Sequence, residues 1–349
     1  MAGKQRGVTL TVFRFDRPAE QWDDFARRQL GSTFCHGYRW RTVIERAFGH
    51  ECLWLAVAAP TGELRGILPL VRVKSRLFGH YLVSLPFLNY GGPLGDSEAI
   101  RALAAEAVRL AETGRVKLLE LRSRVELPLD LTPSHRKITV TLDLPDSTDG
   151  LMKLFPAKLR SQVRRPAKEG VTVRFGPDQL PAFYQVFSRH MRDLGTPVMP
   201  RRFFEEMMAE FGDGAWMGCA YLGSQPIACG AGFLWNDEFE MTWASALAEF
   251  NRISANMGLY WAFMERAVAA GVRRFNFGRC SPDSGTHRFK KQWGSRDEAL
   301  WWYQFVPGGG QAAAPSPDDG AFAWGPKIWK KLPLPVANLM GPHIVRSIP

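Results

Sequence analysis

Cysteine is scarce in this chain of 349 residues, and no two cysteines form a CxxC pair. An odd, scattered set is typical of reduced thiols in a cytosolic protein and argues against a disulfide scaffold or a zinc ribbon. The five cysteines are Cys35, Cys52, Cys219, Cys229 and Cys280. The seven histidines show no HxH or HxxxH spacing. We therefore expect no metal and no tightly bound cofactor.

Long uninterrupted apolar runs are also lacking. The first residues, MAGKQRGVTLTVFRFD, do not contain the apolar core of a signal peptide. Residues 77–95 and 214–236 lack Asp, Glu, Lys and Arg, but turn-forming residues interrupt both stretches. A helix that crosses a bilayer needs about 20 continuous apolar residues. These stretches are therefore predicted to be buried strands joined by turns, and the chain to be cytoplasmic.

Positive charge, by contrast, is abundant. Lys and Arg number 45 against 34 Asp and Glu, which gives a formal charge of +11. Hydrophobic residues make up 46% and charged residues 23%, as in an ordinary globular protein. The charge favours anionic partners, namely a phosphate-bearing substrate, a nucleic acid or an anionic membrane surface, without choosing among them.

An internal repeat in the order of predicted elements indicates the domain organisation. RTVIERAFGHECLWLAVAAPTGELRGILPLVRV and RFFEEMMAEFGDGAWMGCAYLGSQPIACGAGFLW share one order of helix, strand, turn and strand. Helices then lead into GRVKLLELR and GVRRFNFGR. Two copies of one α/β unit are predicted, the alternative being two unrelated α/β halves. The expected domains are residues 1–145 and 146–306, followed by a flexible connector and C-terminal strap over 307–349.

The densest group of reactive side chains is FNFGRCSPDSGTHRFKKQWG, residues 275–294. A predicted strand ends at Gly278, and a polar loop rich in cations and hydroxyls follows. Loops at strand ends commonly carry catalytic groups on α/β folds. The mixture suits binding of a carboxylate or phosphate, or stabilisation of an oxyanion. A capped polar turn with solvated lysines is the alternative.

This segment resembles the end of the second domain of Fem-type proteins, specifically the FemAB-related branch associated with exosortase (PEP-CTERM) exopolysaccharide loci. The resemblance extends to GILPLVRVKSRLFGHYLVSLPFLNYGGPL, LRSQVRRPAKEGV, LGTPVMPRRFFEEM and WKKLPLPVANLMGPHIVRSIP. It implies tandem GNAT-like acyltransferase domains of the α/β (α+β) class, each a mixed sheet flanked by helices. It also implies transfer of an acyl or aminoacyl group to an amine of a cell-envelope or exopolysaccharide precursor.

The resemblance also suggests site residues. Fem relatives have a Phe-Lys pair at the active centre, which matches Phe289 and Lys290 here. Lys290 is expected to hold a substrate carboxylate or to stabilise the developing oxyanion. Arg279 and Lys291 are expected to help bind the substrate. The attacking amine needs a base or a substrate group to take its proton; the candidates in this chain are His287, Asp283 and Glu249, in that order.

A second basic element is KLRSQVRRPAKEG. If it is helical, Arg160, Arg164 and Lys168 share one face, with Arg165 on the flank. Fem relatives have a similar helix near the phosphates of their precursor, so these residues are predicted to bind an anionic substrate. A solvated helix face is the alternative.

The donor stays open at this stage. The R/Q-x-x-G-x-G/A loop that holds the pyrophosphate of acyl-CoA is absent from residues 252–257. This absence favours a donor other than CoA, and both aminoacyl-tRNA and acyl-CoA stay open as donor co-substrates. Two rival functions remain: an acyl-CoA-dependent N-acyltransferase, and a non-catalytic protein that binds a polyanionic glycan or nucleic acid.

The C-terminal tail also has two interpretations. Lysines and tryptophans flank its short apolar segment at 332–340: Trp324, Lys327, Trp329, Lys330 and Lys331. We favour a strap packed across the first domain. The alternative is peripheral contact with an anionic face of the inner membrane.

Overall fold

The computed structural model describes residues 10–75, 78–310 and 325–348. The first part contains, in order, β1 (Val12–Arg14), α1 (Ala19–Arg27), α2 (Trp40–Phe48), β2 (Glu51–Ala58), β3 (Leu64–Ser75), β4 (Gly79–Val83), β5 (Leu94–Gly95), α3 (Ser97–Thr113), β6 (Leu118–Ser123), β7 (Pro133–Ser134) and β8 (Ile138–Asp143). Local chemistry sets the helix ends. The Asp96 carboxylate accepts hydrogen bonds from two backbone amides at the start of α3, and Gly49 ends α2 in a left-handed conformation.

The second part contains α4 (Thr148–Leu154), α5 (Ala157–Lys168), β9 (Val171–Phe175), α6 (Leu180–Leu194), α7 (Arg201–Phe211), β10 (Ala215–Leu222), β11 (Gln225–Trp235), β12 (Glu238–Ala246), α8 (Ala255–Ala269), β13 (Arg274–Cys280), α9 (Gly285–Lys291), β14 (Arg296–Ala299), β15 (Trp301–Phe305), α10 (Gly325–Trp329) and α11 (Leu334–Val345). The order α2-β2-β3-β4-α3-β6 recurs as α7-β10-β11-β12-α8-β13. The predicted duplication and the α/β class are therefore confirmed.

The chain builds two mixed sheets. The first has the order β1-β2-β3-β4-β6-β15-β7 with β5 beside β3, and the second has the order β14-β8-β13-β12-β11-β10-β9. Each sheet takes one strand from the other part of the sequence. β8 pairs with β13 and β14 in the second sheet, and β15 pairs with β6 in the first. A division at residue 145 would therefore remove a strand from each sheet.

We call each sheet, together with the helices and loops attached to it, a unit: the first unit is built on the first sheet and the second unit on the second sheet. Each unit contains one parallel pair of strands at its centre, β4 with β6 and β12 with β13. Parallel neighbours come from the helical crossover between them. In the first unit, the loop that follows β4 occupies the space past the end of the β4–β6 pairing. The amides of Ser84 and Gly92 donate to the carbonyls of Glu120 and Arg122, and Leu85 and Leu88 between them are fully buried. Loop 84–93 therefore fills the gap in the first sheet.

One apolar core spans the two units. The Phe34 ring stacks on Phe233 with ring centroids 4.3 Å apart, and Trp40 stacks on Phe203. Another core lies between the second sheet and the helices α5 and α8. The second sheet is thus covered on one face by α5 and α8 and, on the other, partly by the first unit.

The described part of the C-terminal tail lies along α6 of the second unit. Asn338 donates to Ser188, Arg192 donates to the Leu332 carbonyl, and Gly341 packs closely on Val198. The tail reaches the first unit at its end, where His50 Nε2 contacts the Arg346 carbonyl. The expectation of a strap across the first domain is therefore corrected to one along the second unit, because the buried face of α11 is complementary to α6. Trp324 and most of the predicted connector lie outside the described residues.

Candidate active site

The central feature of the second sheet is the point where β12 and β13 part. Their parallel pairing ends at Glu240 and Asn276. Just beyond it, Met241 and Thr242 together oppose Gly232 of β11, which is a β-bulge. A Cβ on Gly232 would lie 2.1 Å from the Glu240 carbonyl oxygen, so the bulge requires glycine there. On the other side, β13 changes register and Gly278 adopts φ +73°. Both strands bend at one level, and a split opens between them.

Lys290 closes one side of this split. It belongs to α9, whose N-cap Ser284 accepts the His287 amide, and only 2% of its surface is exposed. Its Nζ donates to the carbonyls of Gly278 at 2.6 Å and Arg279 at 3.0 Å. Burial lowers the pKa of Lys290 to about 8, against the opposing effect of Cys280 and Glu240. An ammonium has three N–H donors, so one remains for another acceptor.

A buried carboxylate that the sequence analysis did not single out lies beside Lys290. Glu240 is 2% exposed, and its two oxygens accept hydrogen bonds from Asn89 Nδ2 at 2.6 Å and Asn276 Nδ2 at 3.1 Å. Burial, followed by the neighbouring charge of Glu238, raises the pKa of Glu240 to about 7. Buried groups with such shifts cluster at functional sites. The signal in the sequence was a glutamate between two apolar residues of the predicted strand FEMTWASA.

Both units supply the polar groups around this carboxylate. Asn89 and Tyr90 come from loop 84–93, the segment that fills the split of the first sheet. The Tyr90 hydroxyl donates to Thr139, and Thr139 donates to Asn276 Oδ1 at 2.7 Å. The same Asn276 oxygen accepts the Gly278 amide. The network therefore fixes the end of β13 and the orientation of Asn276 toward Glu240.

A cavity of about 260 Å³ between the units leads to Glu240. Its wall includes residues 30–34 of the first unit, Phe233 and Trp235. Arg124 reaches into it from the first unit and pairs with Glu238 at 2.6 Å and Glu298 at 2.8 Å. Asn276 Nδ2 also donates to Glu238 at 2.9 Å. Unlike Glu238 and Glu298, Glu240 accepts amides and no guanidinium among the described residues.

Several buried polar atoms have no hydrogen-bond partner among the described residues, and two of them lie on β12 and α8. These two are Thr242 Oγ1, at the bulge of β12, and Asn256 Oδ1, in the first turn of α8. A buried polar atom without a partner costs free energy, about 1–3 kcal/mol. Both positions therefore offer hydrogen bonds to a ligand that lies along β12 toward the start of α8.

Arg279 and Phe289 lie next to Lys290. The Arg279 guanidinium stacks over the Trp302 ring, 4.9 Å from its centroid. The Arg279 side chain is partly exposed to solvent. Desolvation by the surrounding protein atoms, followed by the nearby charge of Arg122, nevertheless lowers the pKa of Arg279 to about 10. The Phe289 ring packs on Tyr260 at 5.0 Å. The structure thus brings these two predicted residues together with Lys290.

The candidate bases are engaged elsewhere. His287 Nδ1 accepts the amide of Asp283, so Nε2 carries the proton and donates to Asp297 at 3.0 Å. Lys291 pairs with the same carboxylate, and exposed Glu249 pairs with Arg189. In this arrangement His287 and Asp283 brace the start of α9. Their predicted role as bases stays a prediction.

The cations of α5 lie outside the cavity between the units, on the helix that covers the opposite face of the second sheet. Arg160 donates to the Phe155 carbonyl, and Arg165 lies 3.8 Å from Glu169. Arg164 and Lys168 are exposed on one face, as predicted from their spacing. α5 touches α8 where Pro166 meets Gly258. These cations therefore lie near the first turns of α8, where Asn256 is.

Metal ligands and membrane spans were also considered. Within the described ranges, no group of three or more His, Cys, Asp or Glu side chains could hold a metal ion. The five cysteines are buried and unpaired. No helix in the described part of the chain is long and apolar enough to cross a bilayer.

Comparisons with known proteins agree with this geometry. Residues 155–291 match the acetyltransferase (GNAT) domain family, and no curated protein matches the sequence. Among solved structures, FemX superposes with TM-score 0.66 at 15% identity, covering 84% of this chain and 97% of FemX. A tandem GNAT protein from the clavulanic acid biosynthesis pathway gives TM-score 0.53 at 12% identity, covering 86% and 100%.

L-PGS from Bacillus licheniformis gives TM-score 0.51 at 11% identity, covering 88% of this chain and 95% of L-PGS. At these identities the similarity concerns the fold, and the family match supplies the chemistry of the second unit. The split strands, the bulge and the helix that follows β12 all fall inside the matched residues. The chain is therefore an acyltransferase that carries a GNAT domain at residues 155–291 within a tandem GNAT fold similar to that of FemX.

Proposed function

We propose that this protein transfers an acyl or aminoacyl group to an amine of a cell-envelope or exopolysaccharide precursor. The single observation that supports this most strongly is the buried pair of Glu240 and Lys290 at the split between β12 and β13. The exosortase-associated branch suggested by the sequence resemblance is part of the proposal, as is the cytoplasmic location.

The two side chains suit the two needs of acyl transfer. The amine nitrogen forms a bond to the acyl carbonyl carbon, which places negative charge on the carbonyl oxygen. The remaining N–H of Lys290 would stabilise this oxyanion. The Glu240 carboxylate would take the proton that the amine loses, and a pKa near 7 matches such a base to neutral pH. The bond to the donor's leaving group then breaks, and that group takes up a proton.

The acceptor would enter through the cavity between the units. Glu238 and Glu298 face Arg124 there, while Glu240 at the inner end is bound by two amides. An acceptor amine would therefore meet a carboxylate able to receive the proton that the amine loses on attack. This supports an amine acceptor and leaves the rest of the precursor unspecified.

The donor would occupy the split on the side of β12 and α8. Thr242 Oγ1 and Asn256 Oδ1 would then gain the partners they lack, and the exposed cations of α5 would lie near donor phosphates. Aminoacyl-tRNA and acyl-CoA both carry such phosphates. The GNAT match keeps an acyl-CoA-dependent N-acyltransferase as the second candidate.

Thermal shift and turnover measurements would test the proposal. Wild type is mixed with acyl-CoAs, aminoacyl-tRNA and nucleotide-linked sugars, and saturation by a micromolar ligand adds about 3 kcal/mol of stability. With the donor identified, Lys290→Ala should lower kcat about 10²–10³-fold, and Glu240→Gln about 10²–10⁴-fold. Exposed Lys74→Ala and Glu63→Gln are matched controls that should keep wild-type turnover.

Two outcomes would count against the proposal. One is the absence of a shift with every donor, together with salt-dependent binding of glycan or nucleic acid that is equal in wild type and Lys290→Ala. The other is full turnover in Glu240→Gln, which would leave the transfer reaction in place but remove Glu240 as its base.

A further inference from the structure

Exposed apolar side chains are concentrated on one surface of the described chain. We call it the tail patch: the outer side of α10 and α11 together with the end of α6. Leu339 is 71% exposed, Ile328 and Leu194 53%, Met340 45% and Val336 39%. Other exposed large apolar side chains in the described residues, Leu30 and Leu154, lie elsewhere. A clustered apolar surface of this kind marks an interaction site.

The helix α11 has two distinct faces. Ala337 and Gly341 are buried against the body of the second unit. Val336, Leu339 and Met340 follow the opposite side at helical spacing and face solvent. The contacts with Ser188, Arg192 and Val198 hold the inner face in place. The apolar outer stripe is therefore not needed to attach the tail to the protein.

The charged side chains of the tail helices themselves have one sign, and at the end of α6 the patch also includes Asp193, which pairs with Arg192. Residues 325–348 contain Lys327, Lys330, Lys331 and Arg346 and no Asp or Glu. The three lysines are exposed, and no carboxylate pairs with them in the described part of the chain. Lysine stems lie along apolar surface while their ammonium groups reach phosphate. Apolar side chains bordered by lysines suit the headgroup region of an anionic bilayer.

We propose that the tail patch docks the protein on an anionic membrane surface, with the side chains of Val336, Leu339 and Met340 at the acyl boundary and the lysines at lipid phosphates. This inference depends on the surface alone and not on the identity of the acyl donor or acceptor. It also gives the patch an orientation relative to the second sheet. α6, which carries the tail on one side, contacts Ser245 of β12 through His190, so the bilayer would lie one helix away from that sheet.

Cosedimentation with vesicles of phosphatidylcholine, with and without phosphatidylglycerol, tests the proposal on the full chain. Wild type should bind vesicles that contain phosphatidylglycerol. The triple variant Lys327→Ala, Lys330→Ala, Lys331→Ala should lose about 100-fold in affinity, from about fivefold per lysine. The double variant Leu339→Glu, Met340→Glu should lose at least about tenfold, because it removes apolar contact and adds repulsion.

Two controls separate the patch from the net charge of the protein. The variant Lys158→Ala, Arg164→Ala, Lys168→Ala removes three exposed cations from α5 and should keep most of the binding. Leu154→Glu changes an exposed leucine elsewhere and should bind like wild type. Circular dichroism confirms that each variant is folded. Turnover with soluble substrates is compared for the patch variants and Leu154→Glu only, because the α5 cations belong to the proposed donor site.

Three results would overturn the proposal: no binding of wild type to anionic vesicles, equal binding by the patch variants, or an equal loss in the α5 control. A change of oligomeric state in the patch variants, measured by light scattering, would identify the patch as a contact between copies and would also overturn it. Failure of vesicle binding leaves the acyl transfer untouched, since turnover is measured on soluble substrates.

Discussion

At the scale of single residues, the candidate site depends on two buried ionisable groups whose pKa values are shifted toward neutrality. Burial removes water from the ammonium of Lys290 and the carboxylate of Glu240, and each then favours its neutral form more than it would in solution. Neither group forms a salt bridge within 4 Å in the part of the chain that the structure describes. Their hydrogen bonds come from backbone carbonyls and side-chain amides.

The Lys290→Met variant should show how the stability of the fold depends on this burial. The folded-state pKa of about 8 lies below the model-peptide value of 10.5, so the unfolded chain binds the proton more tightly. The buried lysine therefore lowers the free energy of unfolding of wild type below pH 8, and this loss disappears as the pH rises toward 10.5. Between pH 7 and 10 its free energy of unfolding should rise by about 2–3 kcal/mol relative to Lys290→Met. Denaturant titrations at both pH values measure this; a difference that is constant with pH would contradict it.

Asn89→Leu should shift the pH dependence of turnover. The Asn89 amide holds the charged form of Glu240, so its loss should raise the pKa of Glu240 above about 7 and move the acidic limb of kcat/KM to higher pH. The charged groups near Glu240 are Glu238, Arg124, Lys290 and Arg279, and the variant leaves them in place. Gln225→Leu is the control, because this exposed amide at the start of β11 lies eight residues before Phe233, the residue opposite Glu240. An unchanged limb in Asn89→Leu would contradict the positioning role.

At the scale of secondary-structure elements, the split is produced by irregularities rather than by regular pairing. The bulge on β12 and the register change on β13 occur at the same level, where parallel pairing ends. The succession of helices and strands along the chain followed from apolar periodicity and turn residues. The bulge did not, because it depends on which residue of β11 lies opposite, and a single sequence does not contain that register.

Gly232→Ala should destabilise the protein and impair transfer together. The new methyl would meet the Glu240 carbonyl oxygen at 2.1 Å, so β11 and β12 must move apart at the bulge. We expect a loss of about 1–3 kcal/mol in the free energy of unfolding and a fall in kcat, since Glu240 moves with its strand. Gly214→Ala, where nothing lies within 4 Å, should cost less than about 0.5 kcal/mol. Equal stabilities of the two variants would argue against the constraint.

At the scale of the whole molecule, the two units are not independent. β8 and β15 exchange sheets, Arg124 of the first unit pairs with two carboxylates of the second, and one apolar core contains residues of both. The first unit also contributes Asn89 to the site in the second. Its own split is filled by the loop that carries this residue, so the two copies of the fold have different tasks.

The whole chain should therefore unfold in one transition, with far-UV circular dichroism and tryptophan fluorescence coinciding along a denaturant titration. A fragment of residues 1–145 should not fold by itself, because β6 lacks β15 and β8 lacks both of its partners. Two separated transitions in the whole chain, or cooperative unfolding of the fragment, would contradict this.

The sequence by itself determined the duplicated order of helices and strands and the exposed face of α5, because periodicity and turn residues encode them. The Phe289-Lys290 pair came from the resemblance to Fem-type proteins, and its catalytic role stays a prediction. Only the tertiary structure decided that Glu240 is buried beside Lys290, that Asn89 reaches it from the other unit, and that β8 and β15 change sheets. Those features join residues far apart in the chain. Strand pairing, burial and the resulting pKa values depend on what the folded neighbours are, and a linear pattern does not specify them.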